Sequence, residues 1–118
     1  MKVDVGSVAD LPPGSIRIVT VHRRELGIVN WNGRYFAIRN SCPHQLGPLA
    51  TGRVRVKLVA GESVGRLDVD EATPVITCPW HGWEFELASG RALADPHYRV
   101  AVYEVSVVGD RLMIEIAG

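Results

Sequence analysis

The sequence predicts an all-β fold, and three observations carry that expectation. β-Branched and aromatic residues come in short runs alternating with polar ones, turn dipeptides separate the runs, and no segment sustains a 3.6-residue apolar period. Ile16 to Val21 (IRIVTV) and Glu25 to Trp31 (ELGIVNW) are the first two runs, and Asn32-Gly33 supplies a type I′ hairpin dipeptide before Arg34 to Arg39 (RYFAIR). These three make a meander. Val75 to Thr77 reads as a short strand, and Trp83 to Leu87 (WEFEL) as another that ends at the turn Ala88-Ser89-Gly90. Val100 to Val108 and Arg111 to Ile116 flank Gly109-Asp110, a second hairpin signal. The best helical candidate, Glu71 to Thr73, is too short to stand as one.

Residues 53 to 74 stand apart. Two alternating pieces, RVRVKLV and GRLDVD, flank Ala60 to Val64, which predicts an extra hairpin projecting from the core with a charged tip. A solvated insertion is the plain reading, since a long surface hairpin costs little loop entropy. A partner-docking element is the sharper one.

At 118 residues, 47% hydrophobic and 22% charged, the chain has material for one domain spanning 1–118 and too little for two. Lys+Arg and Asp+Glu number 13 each. A net charge of zero gives no reason to expect nucleic acid or an anionic membrane, so the expected partners are proteins or small molecules. The opening MKVDVGSVADLPPG lacks the apolar core of a signal peptide, and no apolar run nears the ~20 residues that span a bilayer. The expected location is cytoplasmic and reducing. Two cysteines are there more naturally ligands or core residues than a disulfide.

Both cysteines stand just upstream of a histidine. The first pair is Cys42-x-His44 within SCPHQLGPLATG, and the second is Cys78-x-x-His81 within CPWHGW. Pro43 or Pro79 stiffens each loop, and Gly47 or Gly82 opens it. Two thiolates and two imidazoles, one of each per loop, can close around a single compact metal centre that neither loop could build alone. A structural zinc site also accepts two Cys and two His, but its usual spacing keeps like ligands together. Mixed pairs suit a two-iron, two-sulfide cluster with both thiolates on one iron and both imidazoles on the other. Neutral imidazoles remove negative charge from such a cluster, so it takes up an electron more readily than an all-cysteine one.

At these residues the chain resembles the Rieske iron–sulfur family. The pattern C-x-H, a loop, then C-P-x-H-G-x-x-F is met by Cys42, His44, Cys78, Pro79, His81, Gly82 and Phe85, with a turn glycine at Gly90. The likeness covers nearly the whole chain apart from 53 to 74. It implies an antiparallel β-sandwich with a small cluster-binding subdomain, whose ligand loops are 42–49 and 78–85 and whose inserted hairpin is 53–74. It also implies a [2Fe-2S] cofactor held by Cys42 and Cys78 on the inner iron and by His44 and His81 on the outer one. Around it, Gln45, Leu46, Gly47, Pro48, Pro79, Trp80, Gly82 and Trp83 would form the surround and docking rim.

Two departures from the family pattern matter. The 33 residues between His44 and Cys78 exceed the usual connection, the excess falling in the insertion. In the cytochrome bc1 branch two further cysteines bridge the loops, and here Gly47 and Trp80 hold their positions; Trp83 replaces a serine that donates to the cluster. Fewer hydrogen bonds to the sulfurs lower the potential. The chain therefore looks like a Rieske-type ferredoxin, an electron carrier and not an enzyme, taking single electrons from a flavin-dependent reductase to a terminal oxygenase. A small Rieske-like subunit of a larger reductase, as in assimilatory nitrite reductase, is one alternative; a structural zinc module is the other. An oxygenase's own two-His, one-carboxylate iron site needs a separate domain, and 118 residues leave no room for it. The other histidines, His22 at a predicted strand end and His97 in a loop, read as surface residues. Glu84 and Glu86 alternate about Phe85 as on a solvated sheet face.

Overall fold

The computed structural model describes residues 1–41, 49–60, 67–79, 82–95 and 97–116, with 51, 55–60 and 67–72 described by their backbone. Among the described residues, ten strands form three antiparallel sheets: β1 Lys2–Ser7, β2 Ile16–Val21, β3 Arg24–Trp31, β4 Arg34–Arg39, β5 Arg53–Ala60, β6 Leu67–Thr77, β7 Glu84–Glu86, β8 Val102–Tyr103, β9 Val105–Val108 and β10 Arg111–Glu115. The sheets run β1-β10-β9, β2-β3-β4-β8 and β5-β6-β7. Among the described residues no helix is long and apolar enough to cross a membrane.

The sheet of β2, β3, β4 and β8 serves two cores. Successive strand residues point to opposite faces. Leu26 and Ile28 of β3 and Ala37 of β4 pack with Val5, Leu11, Leu112, Ile114 and Ile116, against the sheet of β1, β9 and β10. Val29 and Ile38 face the other way and pack with Leu49, Ile76, Cys78, Phe85 and Val100, toward the sheet of β5, β6 and β7. A strand covered on both faces reads as a continuous apolar run, and residues 26–30 of β3 are all buried. Asn30 is the buried polar exception: its Nδ2 donates to the Leu11 carbonyl at 2.7 Å and its Oδ1 accepts the Gly33 N–H at 2.9 Å, pinning the turn that follows.

The meander forms as expected, and its Asn32-Gly33 turn has positive φ at both residues (52° and 86°) between the paired Trp31 and Arg34. His22 is not a strand end. With Arg23 it makes the two-residue turn between β2 and β3, both residues at positive φ (50° and 67°), where no glycine or asparagine signalled it.

One strand was not foreseen and one expected run divides. Lys2–Ser7, to which the sequence reading assigned no element, is a strand, because Val3 and Val5 meet β10. Asp4 in it is bound by Arg111, whose side-chain hydrogen bonds (Nε to Oδ2 at 2.9 Å) hold the carboxyl below its ordinary value. The single run Val100 to Val108 breaks at Glu104, since Val102–Tyr103 pairs with β4 while Val105–Val108 pairs with β10. The chain changes sheets there. The weak helical candidate Glu71 to Thr73 lies within β6.

The hairpin expected at 53–74 is present as β5 and β6, but its second strand continues through Val75–Thr77 into the sheet with β7. Register shifts between Arg55 and Lys57, where Pro74, lacking an N–H, is accommodated on the partner strand. The hairpin is thus an outward extension of the site-bearing sheet.

Candidate functional site

Of the four expected ligands the description includes Cys78; Cys42, His44 and His81 lie outside the described residues, as do Gln45, Leu46, Gly47, Pro48 and Trp80. Cys78 follows β6 directly and is 1% exposed within the second core. Its N–H donates to the Trp83 carbonyl at 2.7 Å, closing the neck of the loop CPWHGW. Inside that neck Pro79 and Gly82 are exposed, and Gly82 takes a positive φ of 70° with open space where a side chain would begin. Trp83 is half-buried: its ring meets Tyr98 edge-on at 5.0 Å and stacks on Phe85 at 6.5 Å. The Phe85 ring is fully buried, so the outgoing end of the loop is anchored by three aromatic rings.

The first ligand loop has a neck of its own, which sequence reasoning missed. Asn40 follows strand β4, donates its backbone N–H to the Glu25 carbonyl at 2.8 Å, and accepts the Ala50 N–H on Oδ1 at 2.6 Å. Residues 41–49 are bracketed by that bond. After them comes a 3-10 turn, Leu49–Thr51, closed by Gly52 N–H to the Leu49 carbonyl at 3.0 Å. Gly52 then passes so close to β6 that a Cβ on it would sit 1.7 Å from the Thr77 carbonyl oxygen. The exit of the first loop therefore lies against the entry of the second, although 24 residues separate Gly52 from Thr77. Changing Asn40 to Ala should leave the Ala50 N–H unpaired and loosen the neck, at a cost of about 1–3 kcal/mol. Thermal melts would read that loss, and any bound metal should be released faster.

A cleft of about 680 Å³ opens at this junction, lined by Gly52, Arg53, Val54, Thr77, Cys78, Pro79 and Gly82. A buried thiol at the wall of a roomy cleft, between two hydrogen-bonded loop necks, fits a soft metal bound through thiolate. Among the described residues no group of three or more His, Cys, Asp or Glu is assembled that could hold a metal ion, here or elsewhere. His97 is a surface residue paired with Asp95 at 2.9 Å, and hydrogen bonds from its backbone and ring lower the Asp95 carboxyl. Glu84 and Glu86 flank the buried Phe85 on β7 and are half-buried themselves, beside the fully buried Val75 that pairs with Glu86, so this face is less solvated than their alternation suggested.

Residues 1–104 match the family described as Rieske [2Fe-2S] domain. The chain is 30% identical over 116 residues to the ferredoxin component of the naphthalene 1,2-dioxygenase system of Pseudomonas aeruginosa, covering 98% of this chain and 95% of that one. It superposes on the ferredoxin of carbazole 1,9a-dioxygenase from Nocardioides aromaticivorans IC177 with a TM-score of 0.73 at 26% identity, covering 96% and 95% of the two chains. A protein described as an NADH-dependent nitrite reductase small subunit, from Mycobacterium tuberculosis, shares the fold at a TM-score of 0.78 and 20% identity, covering 100% and 97%.

Proposed function

Because this chain belongs to the Rieske [2Fe-2S] domain family, we propose that it is the ferredoxin of a multicomponent oxygenase system, carrying single electrons from a flavin-dependent reductase to a terminal oxygenase in the cytoplasm. The observation that carries this reading is end-to-end similarity to a ferredoxin component, joined to a buried Cys78 at the wall of the cleft. It is an electron carrier and not an enzyme, and its cofactor is a Rieske-type [2Fe-2S] cluster.

When bound, the cluster supplies a site that accepts and releases one electron. Everything else falls to the chain. Cys78 and Cys42 would hold the inner iron, His44 and His81 the outer one near the surface. Core residues behind Cys78, chiefly Phe85, Ile76 and Leu49, exclude water from the thiolate side. Pro79 and Gly82, exposed at the loop, leave the other side open to a partner. A small contact of less than about 1,200 Å² is usual for such redox encounters, where rapid release matters more than tight binding.

The test is spectroscopic. Purified protein is expected to be brown, with iron and acid-labile sulfide in equal amounts and the electron-resonance signal of mixed Cys/His ligation; a colourless protein holding zinc would refute the reading. His81→Ala should abolish that signal while the β-rich circular dichroism persists. A variant with an undiminished spectrum would remove His81 from the ligand set. Turnover with a reductase and oxygenase of the naphthalene dioxygenase type then tests the direction of transfer.

A further inference from the structure

We infer that Tyr98 is a positioning residue for the cofactor: its ring holds Trp83 in place, and Trp83 in turn keeps the Cys78 amide and outside water away from the thiolate. This rests on the electron-carrier reading and adds to it a residue that sets how readily the centre takes up an electron. The contacts start at the proposed ligand. The Cys78 N–H is aimed at the Trp83 carbonyl at 2.7 Å, so that donor is committed across the neck of the loop, and the residue itself is 1% exposed. The bond lasts only while Trp83 stays in place. Of the described residues between the two, Pro79 and Gly82 are exposed, and Gly82 has open space where a side chain would begin. Trp83, by contrast, packs against the second core and tethers the outgoing end.

Two rings hold Trp83, Phe85 at 6.5 Å and Tyr98 edge-on at 5.0 Å. They differ in origin. Phe85 lies two residues along the same stretch of chain, whereas Tyr98 arrives from a separate segment and is half-buried like Trp83 itself. A closed turn delivers it. The Tyr98 N–H donates to the Asp95 carbonyl at 3.1 Å, Asp95 Oδ1 accepts the His97 N–H at 3.0 Å, and the Tyr98 carbonyl accepts the Ala92 N–H at 3.0 Å. The Leu93 N–H donates to the carbonyl of Glu84, the residue after Trp83, at 2.9 Å, which fastens this segment to the loop exit.

Hydrogen bonds to the sulfurs and exposure to solvent both tune the potential of an iron–sulfur centre. Releasing Trp83 supplies both at once, because the Cys78 amide is freed to donate to sulfur and water gains the neck. Each stabilises the more negative, reduced state. The ring of Tyr98 therefore keeps the potential low.

Dye-mediated reductive titration of the loaded protein at one pH, followed by visible absorption, reads this directly. At a fixed solution potential Tyr98→Leu should raise the reduced-to-oxidised ratio about two- to tenfold, the worth of one hydrogen bond. Deuterium uptake in the peptide of residues 78–83, followed by mass spectrometry on the oxidised loaded protein, should quicken. Tyr98→Phe, which keeps the ring, should retain both wild-type values. Tyr103→Leu makes the same change against the other core and should lower the melting temperature without moving the potential. Should Tyr98→Leu not load, Asp95→Ala removes the turn's acceptor for His97 but leaves the three rings, and it should shift the potential the same way by less. Loaded Tyr98→Leu, or Asp95→Ala in its place, with the wild-type potential would overturn the inference alone, as would Tyr98→Phe displaced as far as Tyr98→Leu, or Tyr103→Leu with an equal shift. Wild-type protein that takes up no iron and sulfide would bring down the carrier reading as well.

Discussion

Replacing Cys78 by alanine is expected to abolish cofactor binding, with visible absorption and iron content falling to the background of the apoprotein. The thiol is 1% exposed, set in the core at the wall of the cleft, and alanine leaves no donor atom in its place. Anything that binds the folded state stabilises it by mass action, so the melting temperature should fall with the loss of the cluster. Apoprotein of the wild type gives the reference: variant and wild type should then melt within a few degrees, because the alanine removes one sulfur from the packing. The β1-β10-β9 sheet and its core do not touch Cys78 and should keep their circular dichroism. Cys78→Ala protein that still bound a full complement of iron would show that this thiol is no ligand.

The second large effect is expected from Gly52→Val. The 1.7 Å approach of a Cβ to the Thr77 carbonyl is a collision with backbone, which no rotamer change can relieve. Strand β5 must move off β6 at its first pair, Arg53 with Thr77, immediately before the proposed ligand Cys78. Overpacking costs about 1–3 kcal/mol and occasionally more, and with two backbones in contact the upper end applies. Both stability and cluster retention should suffer, because the displaced strand separates the two ligand loops. Melting curves with iron analysis on Gly52→Ala and Gly52→Val would show the graded loss; a valine variant as stable and as fully loaded as wild type would mean that this contact does not hold the loops together.

Much of this was legible in the chain. The meander from Ile16 to Arg39 and the hairpin at Gly109-Asp110 follow from alternation and turn chemistry, which act between residues close in sequence. The His22-Arg23 turn was hidden because its residues lack the usual tolerance for positive φ, and pairing of the flanking strands imposes it. Lys2–Ser7 was hidden because its partner is 108 residues or so away. The paired Cys and His residues announced a metal centre through their types and order. Asn40 and Gly52 announced nothing, since a capping amide and a missing Cβ acquire meaning from what lies opposite them.

The sequence by itself determined the class of fold, the chemistry of the four proposed ligands and the family, because donor atoms and turn residues keep their character in any context. The tertiary structure alone decided that one sheet serves two cores, that the insertion extends the site-bearing sheet, and that the exit of one ligand loop rests on the entry of the other. Those facts depend on which backbones meet across long stretches of chain, and that is settled by the packing of whole sheets against one another.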